Sequence, residues 1–223
     1  SLPKFLPSYA GLLFEKEMKE LSLVLAPKRP FLFILGGAKI STKLPLIKKY
    51  LKIADNVFVG GAVQNSFFKA LGYEIGKSLK DDCGEDLIKL SRHKNLILPV
   101  DVLVNKGAAR RIDEVKKGDT IRDIGPQSLS TLLSLIAKEK EILFNGPLGN
   151  YELGFDETTK ETLKAMAKTK ARTVVGGGDT IVIVSRLKLE NKLSFVSTAG
   201  GAMIEFLAKG TLPGIEALKK SKK

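Results

Sequence analysis

Four glycine clusters, each closing a short apolar run, are the residues of this chain best suited to hold a ligand. The runs Phe31-Leu-Phe-Ile-Leu35, Asn56-Val-Phe-Val59, Arg172-Thr-Val-Val175 and Leu193-Ser-Phe-Val-Ser197 lead into Gly36-Gly37, Gly60-Gly61, Gly176-Gly177-Gly178 and Gly200-Gly201. Glycine permits positive φ and removes the side chain, so a ligand can touch the backbone and the next helix can offer free N–H groups to an anion. A glycine doublet alone is more often a plain turn. Four at equivalent positions, in a chain with 37 Lys+Arg against 24 Asp+Glu and a net charge of +13, point to a phosphate-bearing ligand.

Charged residues stand beside these glycines. Lys39 and Lys43 follow Gly36-Gly37 four residues apart, which predicts two ammonium groups on one face of a helix beginning near Ser41, able to neutralise phosphate. Asp179 and Thr180 follow the triple glycine. Asp179 has two readings, a helix cap or a magnesium ligand acting together with phosphate oxygens. Asn145-Gly-Pro-Leu-Gly149 forms a shaped loop, and Glu152 just beyond it could accept from sugar hydroxyls. One His (His93) and one Cys (Cys83), both read as surface residues, leave no Ser-His-Asp or Cys-His constellation. Phosphoryl transfer needs none.

The elements that must position these groups alternate. Further strands are expected at Asn95-Leu-Ile-Leu98 and Glu141-Ile-Leu-Phe144. Helices are expected near 11–23, 43–52, 64–71, 85–92, 128–140, 157–168, 180–189 and 202–209. Strands alternating with helices, and apolar without interruption, predict an α/β fold: a three-layer, doubly wound, Rossmann-like and mostly parallel sheet with helices on both faces. Asp101 to Gly125 breaks the rhythm and reads as an antiparallel insert. Pro27-Lys-Arg-Pro30 reads as a stiff boundary, and Lys219 to Lys223 as a frayed end. The G-x-G-x-x-G and G-x-x-x-x-G-K-[ST] fingerprints are both absent, which disfavours dinucleotide enzymes and P-loop NTPases. No apolar run is long enough to span a membrane. With no secretory leader and a lone cysteine, a cytoplasmic location is expected.

Taken in order, GGAKISTKL, GGAVQNSFF, GYEIGKSL, LPVDV, DIGPQS, NGPLGNYE, VGGGDT and VSTAGGAMIEFLAKGTLPGIEAL resemble the C-terminal half of phosphoglycerate kinase, from about Leu6 to Leu218. The resemblance implies a nucleotide-binding domain over 1–223, with 1–29 as the interdomain helix leading into the sheet and the N-terminal phosphoglycerate-binding domain absent from the chain. It implies Mg²⁺ with ADP or ATP, and 3-phosphoglycerate or 1,3-bisphosphoglycerate reached through that other domain. Lys39 would follow the moving phosphoryl group, with the amides of Gly178 and Gly201 stabilising it. Lys43 would lie on the nucleotide phosphates, Asp179 would hold magnesium, and Thr180, Gly177, Gly200 and Asn145 would surround the phosphates. Glu152 would take the ribose hydroxyls, and Gly37, Gly61, Pro147 and Leu148 would wall the adenosine. The sequence departs from the family at Ala62 and Ala199, where glycine is common, and at Asn150-Tyr151, where an apolar residue and Phe are common. The chain alone is expected to be a monomer that binds nucleotide with little turnover, with neither nucleic acid nor membrane as a partner. Two alternatives stand beside this: a basic nucleic-acid module, disfavoured by scattered cations and few aromatics, and a nucleotide sensor without transfer activity.

Overall fold

The strands are of two kinds, short apolar runs that glycine or proline ends and flanking helices cover on both faces, and the more polar strands of an insert, such as the exposed Ala108–Arg111. In chain order they are β1 (Phe31–Leu35), β2 (Asn56–Val59), β3 (Leu96–Ile97), β4 (Asp101–Val104), β5 (Ala108–Arg111), β6 (Ile121–Ile124), β7 (Glu141–Asn145), β8 (Arg172–Gly176) and β9 (Phe195–Val196). The computed structural model describes residues 5–81 and 84–221, so Cys83 lies outside the described residues. Six strands form one sheet in the order β3-β2-β1-β7-β8-β9, with every pairing parallel. The order reverses direction between β1 and β7, and an open parallel sheet binds ligands at such a point, beyond the carboxyl ends of its strands.

The helices are α1 (Leu12–Leu23), α2 (Ile40–Ile53), α3 (Gly61–Ala70), α4 (Gly84–Ser91), α5 (Pro126–Ile136), α6 (Glu157–Lys168), α7 (Gly178–Arg186), α8 (Gly201–Lys209) and α9 (Pro213–Lys219). Side chains alternate across β1. Phe31, Phe33 and Leu35 enter a core with Leu21 of α1, Ile47 and Tyr50 of α2, Phe67 of α3 and Phe206 of α8. Leu32 and Ile34 enter a second core with Leu132 of α5, Leu163 of α6 and Ile183 of α7. This is the predicted doubly wound α/β sheet.

The stretch read as an insert is a three-stranded antiparallel sheet, ordered β5-β4-β6. Val102, Val104 and Ile121 seat it on Phe68 of α3. Asp101 opens β4 and caps α5 from outside, accepting from the Gln127 and Ser128 amides at 2.9 and 2.8 Å.

Several boundaries differ from the expected ones. α5 stops at Ile136, and Lys140 instead donates its amide to Pro30 O at 2.8 Å as the chain turns into β7. α9 was not expected at all. It carries the tail to Lys219, so of the run read as frayed only 220–221 follow it among the described residues. α1 does not stand apart from the sheet. Glu17 accepts from Ser197 Oγ at 2.7 Å, Thr198 N at 2.6 Å and Thr198 Oγ1 at 3.0 Å. Arg172 joins Glu20 and the buried Glu141, each at 2.6 Å.

Candidate functional site

At the switch point, three loops close on one another through backbone. Gly36 N donates to Asn145 O at 2.9 Å, Gly37 N to Pro147 O at 2.7 Å, and Gly61 N to Leu148 O at 2.9 Å. Gly61 has φ +61, and a methyl group there would lie 2.5 Å from Gly37 N and 2.9 Å from Pro147 O. The site therefore needs glycine at this position for both conformation and space. Asn145 and Leu148 are buried beneath these loops.

The two lysines part company. Lys39 is the N-cap of α2 in extended conformation (φ −101°, ψ 108°) and exposed, whereas Lys43 lies inside the helix and is only 7% exposed. They do not share the expected helical face, because i, i+4 spacing aligns side chains only when both residues are helical. The Lys43 ammonium donates to Gly36 O among the glycine loops. Burial pushes its pKa down to about 8, against the opposing pull of the Asp179 charge.

After β8, Gly177 is the N-cap of α7 (φ 96°) and no side chain caps the helix. α8 likewise starts behind Gly200 (φ 56°) without a side-chain cap. A methyl group on Gly178, Gly200 or Gly201 would meet nothing within 4 Å, so the space beside these glycines is open. Asp179 does not cap α7; it is exposed in the first turn, and its Oδ1 accepts from the Tyr151 hydroxyl at 3.1 Å. Thr180 is fully buried, and its hydroxyl has no hydrogen-bond partner. Among the described residues there is no group of three or more His, Cys, Asp or Glu able to hold a metal. The exposed Asp179 carboxylate fits a magnesium ion that would take its other oxygens from phosphate and water.

A cleft of 220 Å³ runs along these loops from Asp179 past Glu152, Pro147 and Gly37 to Gly61. Glu152 is exposed at its rim. Beside it, Asn150 Oδ1 caps the 3-10 turn Tyr151–Leu153 by accepting from Leu153 N at 3.4 Å. The cleft also takes Gln64, Asn65, Leu79 and Tyr151, and Thr120 to Arg122 from the insert, none of which the sequence marked as site residues. Two adjacent carboxamides in the first half of α3 were the one local signal, and alone they mark no site. His93 lies apart from the cleft; its Nδ1 accepts from Asn95 N at 3.3 Å, a turn-stabilising role.

A family model described as phosphoglycerate kinase matches residues 1–210. The chain belongs to the phosphoglycerate kinase family. It is 38% identical over 229 residues to phosphoglycerate kinase of Coxiella burnetii, which spans 96% of this chain and 59% of that protein. Against the enzyme of Wigglesworthia glossinidia brevipalpis the identity is 41%, spanning 99% and 59%. The solved phosphoglycerate kinase of Coxiella burnetii superimposes with a TM-score of 0.86 at 38% identity over 96% of this chain and 59% of that one. The Pyrococcus horikoshii OT3 enzyme gives 0.85 at 30% identity, over 98% and 59%. The chain therefore spans about 59% of the length of these phosphoglycerate kinases.

Proposed function

We propose that this chain is the nucleotide-binding domain of a phosphoglycerate kinase, holding Mg-ADP or Mg-ATP for reversible phosphoryl transfer with 1,3-bisphosphoglycerate. Residues 1–29 would be the interdomain helix, and the acyl phosphate would be met by the part of the family fold that these residues do not span. The observation that supports the reading is the cleft at the switch point, where the Asp179 carboxylate in the first turn of the uncapped α7 lines one wall with Gly37, Gly61, Pro147, Leu148 and Glu152, and the buried Lys43 ammonium donates to Gly36 O beside it.

In the forward direction an ADP β-phosphate oxygen forms a bond to the acyl phosphorus as the bond from phosphorus to the carboxylate oxygen breaks, and 3-phosphoglycerate leaves as its carboxylate. The step needs no protein nucleophile, so positioning and charge stabilisation do the catalysis. Lys39, exposed and ahead of α2, would accompany the transferred group, while the Gly178 and Gly201 amides donate to its oxygens. Lys43 would neutralise nucleotide phosphate, with Gly177, Gly200, Asn145 and Thr180 shaping the pocket around it. Asp179 would hold magnesium, which when bound neutralises phosphate charge. Glu152 would accept from the ribose hydroxyls, and Gly37, Gly61, Pro147 and Leu148 would enclose the nucleoside.

Calorimetric titration with Mg-ADP tests this. One-site saturable binding is expected, with Asp179→Ala losing the magnesium-dependent part of the affinity. An absence of heat in the wild type, or unchanged affinity in Asp179→Ala with magnesium present, would overturn the reading.

A further inference from the structure

Asn150 and Tyr151, where the sequence departs from the family, are built into one small unit. Asn150 donates its amide to Arg122 O at 2.8 Å, and its carbonyl accepts from Leu153 N and Phe155 N, each at 3.1 Å. Its side chain caps the turn Tyr151–Leu153. The turn is thus tied to the end of β6 and closed on itself. At its start the Tyr151 ring packs against the core that holds Leu148 and Ile183, and the hydroxyl reaches out to donate to Asp179 Oδ1 at 3.1 Å.

Among the described residues this hydroxyl is the one hydrogen-bond donor to the Asp179 carboxylate, which is otherwise exposed in the first turn of α7. An exposed aspartate samples several rotamers and gives up that freedom when it ligates a cation. A ring anchored on the core restrains the carboxylate beforehand. Each carboxylate oxygen can accept more than one partner, so a bond to Oδ1 leaves the group able to take a cation. Carboxylates that hold metals are commonly steadied from outside in this way. Phenylalanine at the same place keeps the ring and the turn and lacks only the bond.

We infer that Tyr151 is a positioning residue, whose hydroxyl holds the Asp179 carboxylate ready for a magnesium ion carried by the nucleotide. This rests on the proposed role of Asp179 and adds to it a group that phenylalanine, common there in the family, does not supply.

The test is calorimetric titration of ADP with and without magnesium, read as the ratio of the two affinities. In Tyr151→Phe that ratio should fall about fivefold, the ordinary net worth of one hydrogen bond. In the Asp179→Ala background the same substitution should not weaken Mg-ADP binding further, because the hydroxyl then has no carboxylate to hold. A ratio in Tyr151→Phe equal to or above the wild-type value would overturn the positioning role. A fivefold loss that persists without Asp179 would overturn it too, by showing that the hydroxyl serves the cleft directly. A wild type that binds ADP with no gain from magnesium would instead overturn the role of Asp179, and the positioning role with it.

Discussion

The buried ammonium of Lys43 should make nucleotide binding take up a proton. With its pKa held down to about 8, Lys43 is about half protonated at pH 8 and about one-tenth protonated at pH 9 in the free protein. Nucleotide phosphates beside it favour the charged form and return its pKa toward the ordinary lysine value. Binding should therefore draw in about 0.5 proton at pH 8 and about 0.9 at pH 9, and linkage makes affinity fall toward tenfold per unit of pH above 8. Calorimetry of Mg-ADP binding in two buffers of different ionisation enthalpy reads the uptake directly, as the slope of observed heat against buffer enthalpy. Lys43→Met should abolish the slope and weaken binding. Heats independent of buffer at pH 8.5, or an undiminished slope in Lys43→Met, would refute the argument that this ammonium is both desolvated and aimed at the phosphates.

Gly61→Ala places a methyl group against Gly37 and Pro147 at φ +61. It should lower the melting temperature and weaken Mg-ADP binding, whereas Gly72→Ala (φ +87, nothing within 4 Å) should show only the conformational cost of about 1–2 kcal/mol. Equal losses in both variants would dismiss the packing argument. Asp123, 2% exposed, is pushed up to about 7 by burial, against donors at Thr158 and Ile124. Its raised folded-state pKa means that the folded protein keeps a proton which the unfolded chain gives up, so stability should fall by about 4 kcal/mol as pH rises from about 4 to 7 and then level off. Asp123→Asn should flatten that curve in denaturant titrations across this range.

Strands were legible where an apolar run met glycine. β1 and β2 have the expected limits because both faces are buried, leaving the half-buried Asn56 at the start of β2 as the one polar residue in either run. Helix starts were less legible. α7 and α8 begin at Gly178 and Gly201, where low propensity argues against helix and only a neighbouring strand end allows it. α9 was hidden by Pro213-Gly214, which reads as a break although proline suits a first helical turn. The glycines, Lys43 and Asp179 could be named from sequence, but the burial of Lys43 and the exposure of Lys39 depend on where α2 is capped. Gln64 and Asn65 could not be named as site residues, because the cleft around them is completed by β6, more than fifty positions away.

Glu17 and Ser197 are 180 residues apart in sequence. A ribosome adding about 5–20 residues per second needs roughly 10–40 s to make the partner after the carboxylate has emerged. Through that interval Glu17 lacks its donors, although Leu21 at the other end of α1 already has Phe31 and Tyr50 to pack against. The Glu17 end of α1 is thus secured only once the loop leading to Gly200 and Gly201 has been made.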